Sequence, residues 1–215
     1  MNKNLIEVVF VLDRSGSMSG FESDTIGGFN SMLNKQKNED AKVYVSTVLF
    51  DNRIQVLHDR VEIKDVEPIT EKEYYVGGCT ALLDAVGRSI KHIAKVHKYA
   101  REEDRPRKTL FVIITDGYEN SSHEYTYRDI KKMISKEQEK YGWEFIFLGA
   151  DIDVASEADN LGIRRERAVS YKKTSRGVAR NFEAVSCCMD FMACEPCEAP
   201  DGIDKVLQEN LSEEE

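Results

Sequence analysis

Three short motifs carry oxygen-bearing side chains that could together bind a divalent cation. Residues 13–17 read D-R-S-G-S, which places two hydroxyls at alternate positions around a glycine. Both hydroxyls can point at one ion from a tight turn, because glycine lets the backbone come close. Thr80 follows Gly77-Gly78-Cys79, and Asp116 precedes Gly117. The candidate oxygen donors are Asp13, Ser15, Ser17, Thr80 and Asp116.

The chemistry of this donor set suits a hard cation that keeps one position open. Mg²⁺ prefers about six oxygen ligands at about 2.1 Å. Asp13 and Asp116 would balance the charge of the ion, directly or through water, while the hydroxyls are neutral and leave the metal electrophilic. A water on such a metal can be replaced by a carboxylate from another protein. The alternative is that these Ser and Asp residues are ordinary turn and helix-capping residues.

Strand-like and helix-like segments alternate along the chain. We predict strands at residues 5–12, 42–50, 54–57, 109–115, 143–148 and 168–170, and helices at 26–36, 80–99, 127–141, 154–161 and 175–192. Such alternation predicts a three-layer α/β/α fold with a mostly parallel, Rossmann-like central sheet. The hairpin at 42–57 adds one antiparallel edge strand. Because ligands bind beyond the carboxyl ends of parallel strands, we expect the site in the loops that follow residues 12, 115 and 148.

The chain resembles the von Willebrand factor A domain family over nearly its whole length. Residues 13–17, Thr80 and Asp116 match the metal-ion-dependent adhesion site of that family, and residues 78–85 (G-C-T-A-L-L-D-A) resemble its G-x-T-x-L-x-D-A helix start. The resemblance implies the von Willebrand factor A fold and Mg²⁺, Mn²⁺ or Ca²⁺ as the bound metal. It also implies a protein partner that supplies a Glu or Asp carboxylate. Bacterial cytosolic members of the family often work with ATPases or in multiprotein complexes, so we expect a partner of that kind.

Two further functions compete with metal-dependent protein binding. A metal-assisted hydrolase or phosphatase could use the same aspartates, but it would need an activated water and usually a nearby base. The motif loops contain no His or Lys, and the chain has no glycine-rich phosphate loop and no G-x-S-x-G motif. We therefore predict that the chain is not an enzyme. In the other alternative, the metal only stabilises a structural scaffold.

Composition narrows the choice of partners and compartment. The chain has 215 residues and a formal net charge of −9, and the negative surface disfavours nucleic acid and anionic lipid as partners. The apolar run at residues 5–12 is too short to span a membrane. Five cysteines, an odd number, form a poor disulfide framework and favour a cytoplasmic location. We expect one domain over residues 1–193 and an acidic, flexible tail over 194–215.

Several single residues carry weaker predictions. We expect Arg14 to be solvated and Asp84 to make a local hydrogen bond near the site or to complement the dipole of its helix. The loop residues Tyr118, Glu119 and Asn120 are candidates for partner contact, because they follow Asp116 on the same rim.

The D-x-D pair Asp151 and Asp153 superficially resembles the nucleophile motif of haloacid dehalogenase-like phosphatases, but helix capping by Asp153 explains it better. The cysteines near the carboxyl end could bind zinc, or Cys194 and Cys197 could form a redox disulfide. The simpler explanation for Cys187 and Cys188 is packing on a helix face.

Overall fold

The computed structural model describes residues 2–194 and 201–211. Six strands form the sheet: β1 (Asn2–Asp13), β2 (Lys42–Phe50), β3 (Ile54–Glu62), β4 (Pro106–Thr115), β5 (Glu144–Gly149) and β6 (Ala168–Ser170). Six α-helices flank it: α1 (Glu22–Gln36), α2 (Leu82–Tyr99), α3 (Tyr127–Tyr141), α4 (Val154–Leu161), α5 (Ser175–Ala193) and α6 (Gly202–Leu211). In the described residues, no helix is both long and apolar enough to cross a membrane.

The sheet has the strand order β3-β2-β1-β4-β5-β6. β3 pairs antiparallel with β2, and every other neighbouring pair is parallel. This confirms the predicted mostly parallel sheet with one antiparallel edge strand. The carboxyl ends of β1, β4, β5 and β6 therefore lie on one rim, where their loops can meet.

The apolar side chains of β1 alternate between two cores, and this explains why the fold has three layers. Ile6, Val8, Phe10 and Leu12 belong to a core with α1, α5 and α6, while Val9 and Val11 belong to a core with α2, α3 and α4. Because side chains alternate between the two faces of a strand, an almost wholly apolar strand must be covered on both. The prediction that residues 5–12 form a central, doubly covered strand is confirmed.

Two elements extend beyond the sequence-based expectation. β3 continues to Glu62, past the predicted end at residue 57, because an edge strand needs no apolar run when one side of it faces solvent. α6 lies in the segment that we expected to be a flexible tail. Its Ile203 and Leu207 are buried, since four apolar residues at helical spacing offset the acidic composition of the segment. Residues 195–200 and 212–215 of that segment lie outside the described residues.

Candidate metal site

The first motif is held rigidly at the end of β1. The Asp13 carboxylate accepts a hydrogen bond from the Ser15 amide (2.7 Å) and another from the Thr115 hydroxyl on β4 (2.6 Å). The Tyr74 hydroxyl donates to the Asp13 carbonyl (2.6 Å). Burial outweighs these hydrogen bonds and raises the pKa of Asp13 to about 6. Burial disfavours the charged form of this carboxylate, and a cation next to it would stabilise that form.

The two serine hydroxyls of the motif stand side by side. Ser15 Oγ and Ser17 Oγ are 2.9 Å apart. Adjacent ligands in an octahedral site with bonds of about 2.1 Å lie about 3.0 Å apart. The pair therefore has the spacing of two neighbouring Mg²⁺ ligands, although the same distance also suits a hydrogen bond between the hydroxyls.

The other two motifs meet the serines at Gly117. A methyl group built on its Cα would lie 2.9 Å from Thr80 Oγ1, 3.1 Å from Ser17 Oγ and 3.8 Å from Ser15 Oγ. The hydroxyls of three separated residues thus surround one small space beside the Gly117 backbone. Thr80 is fixed there because its amide donates to the Asn120 side chain (2.9 Å) and its carbonyl accepts from the Asn120 amide (3.0 Å).

Asp116 provides the second carboxylate, and its Oδ1 has no donor among the described residues. Its side chain is fully buried, and neither of its oxygens accepts a well-aligned hydrogen bond from the described residues. Buried acceptors without donors are costly and usually have an external partner. This is the strongest local sign that the donor set fits a cation, because a metal or its bound water would satisfy Asp116 Oδ1.

The structure adds Lys173, which the sequence did not point to. Its ammonium lies 2.5 Å from Asp116 Oδ2 and 3.9 Å from Asp151 Oδ2. Lys173 follows β6, and the loop after β6 reaches the same rim as the loops after β1 and β4. The strand-end rule could have found it, had it been applied to the loop after β6 as well as to the other three. The motif loops themselves contain no lysine, so this ammonium reaches the site from a separate loop.

The loop after Asp116 is fastened to the start of α2. Glu119 Oε2 accepts from the Leu83 amide (2.9 Å), and the Asp84 carboxylate accepts three backbone hydrogen bonds, from residues 123, 124 and 125 at 2.9–3.0 Å. The predicted local hydrogen-bonding role of Asp84 is confirmed. Glu119 and Asn120, which we expected to be candidates for partner contact, have their side chains engaged within the protein. Tyr118 is exposed, and its hydroxyl accepts from the Asp153 amide.

Arg14 is not solvated, so that prediction was wrong. Its residue exposure is only 2%, and its guanidinium donates to Asp51 (3.1 Å) and Gln55 (2.8 Å). The side chain at the variable position of the motif is thus bound to the β2–β3 hairpin. Buried ion pairs of this kind hold two elements in one arrangement, here β1 against the β2–β3 turn.

A family model for the von Willebrand factor A domain found at the carboxyl terminus of TerF matches residues 5–171. The chain belongs to the von Willebrand factor A domain family. No curated protein matches this domain.

Solved structures share the fold of this von Willebrand factor A domain at low sequence identity. Proximal thread matrix protein 1 from the mussel byssus, solved with a zinc-occupied MIDAS motif, has a TM-score of 0.58 and 17% identity over 87% of this chain and 46% of its own. The pilus tip protein Mfa5 of Porphyromonas gingivalis has a TM-score of 0.58 and 11% identity over 91% and 98%.

A von Willebrand factor type A protein of Catenulispora acidiphila has a TM-score of 0.55 and 14% identity, over 86% of this chain and 42% of its own. The domain thus spans about half the length of the mussel and Catenulispora chains. These neighbours include a matrix protein and a pilus protein, and at these identities they show the fold alone.

Asp153 and the adjacent cysteines of α5 take the local roles that we predicted. Asp153 accepts from the Ser156 amide at the start of α4, which confirms capping. Cys188 is fully buried and Cys187 partly so, as packing on α5 predicts. Within residues 2–194 and 201–211, no group of three or more His, Cys, Asp or Glu side chains is arranged to hold a metal. Cys197 lies outside the described residues, so the zinc and redox alternatives that need it stay predictions.

Proposed function

We propose that the chain is a divalent-metal-dependent protein-binding module. The metal would be Mg²⁺, Mn²⁺ or Ca²⁺, and a Glu or Asp carboxylate of a partner protein would complete its coordination. The proposed ligands, direct or through water, are Asp13, Ser15, Ser17, Thr80 and Asp116. The observation that carries the proposal is the meeting of three neutral hydroxyls beside the Gly117 backbone, next in the chain to a buried Asp116 carboxylate whose Oδ1 has no donor in the described residues. The zinc-occupied motif of the mussel relative supports it by similarity.

The proposal assigns binding and no catalytic step. Lys173 is the basic group nearest to Asp116 among the described residues, and it is ion-paired there. A protonated, paired lysine does not act as a general base. We also place the module in the cytoplasm, with an ATPase or a component of a larger complex as partner. In the described part of the chain, Cys79, Cys187 and Cys188 form no disulfide, which supports a reducing compartment.

Metal binding is tested by thermal unfolding with and without Mg²⁺ or Mn²⁺. At about 100 times Kd, the metal should stabilise the fold by about 2.7 kcal/mol, which is roughly 5–10 °C for a chain of this size. Ser17→Ala should lose most of that gain, because it removes a proposed ligand. Ser19→Ala is the matched control, since Ser19 is exposed and outside the site. The absence of any metal-dependent shift in the wild type would refute a metal-dependent function of the unsubstituted chain.

The carboxylate is tested with an array of acidic peptides and their matched Glu→Gln and Asp→Asn versions. Capture should require both the metal and the side-chain carboxylate, because the proposed bond is from a carboxylate oxygen to the ion. Binding that persists in EDTA, or that the amide peptides retain, would contradict the mechanism. An Asp116→Ala chain that still captured the acidic peptides would contradict it as well.

A further inference from the structure

The loop between β6 and α5 places a lysine ammonium against two of the proposed metal ligands. Lys173 Nζ lies 2.5 Å from Asp116 Oδ2, donates to the carbonyl of Ser17 and sits 5.3 Å from the centre of the Phe21 ring. A carboxylate, a carbonyl and an aromatic face are the groups that bind an ammonium. The side chain is only 21% exposed, so most of it packs against the protein and its ammonium is bound by these three groups.

The backbone on both sides of Lys173 is anchored. The Tyr171 amide donates to the Gly149 carbonyl at the end of β5 (3.0 Å). Thr174 caps α5 by accepting from the Gly177 amide (3.1 Å), and the Ser175 hydroxyl donates to Asp24 on α1 (2.9 Å). These contacts fix where the lysine side chain starts, and so they direct its ammonium to the rim.

The ammonium and a metal need the same two residues. The Ser17 carbonyl accepts a hydrogen bond from Lys173, while the Ser17 hydroxyl is a proposed metal ligand. Asp116 gives Oδ2 to Lys173, and this is the carboxylate that a metal would use. A full positive charge at ion-pair distance from a carboxylate opposes a second cation there.

We propose that Lys173 is a built-in competitor of the metal. It neutralises Asp116 when no metal is bound, and its ammonium leaves Asp116 when a divalent cation binds. Asp151 offers the alternative position, because its carboxylate is already 3.9 Å from the ammonium and is mostly exposed. This inference rests on the proposed function, since it concerns regulation of the same site. The module would therefore take up metal only above a concentration that the lysine sets.

The affinity test compares Lys173→Met with Lys172→Met by calorimetric titration of Mg²⁺ into the full chain. Lys173→Met should tighten the Kd for Mg²⁺ at least ~10-fold, because the displaced charge is gone. Lys172→Met removes the same charge one residue earlier, on an exposed side chain, and should change the Kd by less than ~3-fold. Lys173→Arg keeps a cation and should stay near the wild-type value. Equal effects of the two methionine variants would reduce the role of Lys173 to general electrostatics and overturn the proposal.

Displacement is tested directly by nuclear magnetic resonance of ¹⁵N-labelled lysine in the wild type. The Nζ signal of Lys173, assigned through Lys173→Arg, should shift as Mg²⁺ is added, whereas that of Lys172 should stay. An unchanged Lys173 signal at saturating Mg²⁺ would overturn the proposal. A second readout is the thermal midpoint in EDTA, which should fall in Lys173→Met because Asp116 loses its counter-charge.

The results distinguish failure of this inference from failure of the proposed function. If the wild type binds Mg²⁺ and Lys173→Met binds it with equal affinity, the function stands and competition by the lysine is rejected. If neither chain binds any divalent cation, both proposals fall. If only Lys173→Met binds, competition is supported in its strongest form.

Discussion

The backbone of Gly117 passes the hydroxyls of Ser17 and Thr80 with no side chain between them. An alanine there would place its methyl group 2.9 Å from Thr80 Oγ1, closer than a carbon and an oxygen normally approach. The φ of Gly117 is not in the left-handed region, so alanine is compatible with the backbone. The change therefore puts a methyl group beside the proposed hydroxyl ligands without removing any of them.

We expect Gly117→Ala to weaken Mg²⁺ binding at least ~10-fold, since the methyl group competes for the space that the ion and its water need. The stability of the metal-free fold should change by only about 1–2 kcal/mol. Calorimetric titration and urea unfolding in EDTA measure the two effects. Gly77→Ala is the control, because a methyl group at Gly77 meets nothing within 4 Å and should leave the Kd unchanged. Wild-type Mg²⁺ affinity in Gly117→Ala would place the metal elsewhere.

Residue types predicted which oxygen-bearing side chains lie together, but not the charged side chains around them. At one rim of the sheet lie Asp13, Ser15, Ser17, Thr80 and Asp116, as the three motifs predict. Arg14 was misjudged because its partners, Asp51 and Gln55, are separated from it by more than thirty residues. Lys173 was missed because the strand-end rule was not applied to the loop after β6, and its pairing with Asp116 also depends on the strand order. Pairings between distant residues are set by tertiary structure, which no local pattern encodes.

At the scale of elements, the start of α2 and the loop after β4 act as one unit. Asp84 is in the first turn of α2, and its carboxylate accepts the amides of residues 123, 124 and 125. The same loop carries Asn120, which holds Thr80 through two hydrogen bonds. A substitution that removes the Asp84 carboxylate should therefore loosen this loop and, through Asn120 and Thr80, disturb the proposed metal site.

Asp84→Ala should destabilise the fold by about 1–3 kcal/mol, because it leaves three partly buried amides without an acceptor. Hydrogen exchange at residues 120–125 should speed up, and Mg²⁺ binding should weaken. Asp84→Asn keeps one side-chain carbonyl oxygen for Glu124 and Tyr125, so its losses should be smaller. Denaturant unfolding and hydrogen-exchange mass spectrometry give these values. Unchanged exchange in the loop of Asp84→Ala would show that Asp84 does not hold it.

Elements with a strong apolar period were the most predictable. The central strands and the helices α2, α3 and α4 agree with their predicted spans to within a few residues. β3 was underestimated because its second half is polar and lies at the edge of the sheet. α6 was misjudged because acidic composition was given more weight than its apolar spacing. Burial of a short helix depends on a complementary surface on another element, here α5, which is not visible in the segment itself.

At the scale of the molecule, α6 closes one face of the protein. Arg167, which precedes β6, is only 2% exposed and pairs with Asp204 on α6 and with Glu144 on β5. A methyl group at Gly202 would collide with the Phe191 ring, so the start of α6 lies directly on α5. Removal of α6 would leave a buried arginine without its main partner and expose apolar surface.

Leu207 allows the contribution of α6 to be measured without truncating the chain. It is fully buried, and Leu→Ala in a core costs about 2–5 kcal/mol. Leu207→Ala should lower the free energy of unfolding by an amount in this range in a two-state denaturation. Leu211→Ala, at a partly exposed position on the last turn, should cost clearly less. Both substitutions would be neutral if the segment were a flexible tail, because a tail buries no side chain. A large loss for Leu207→Ala alone would therefore establish that the fold extends through α6.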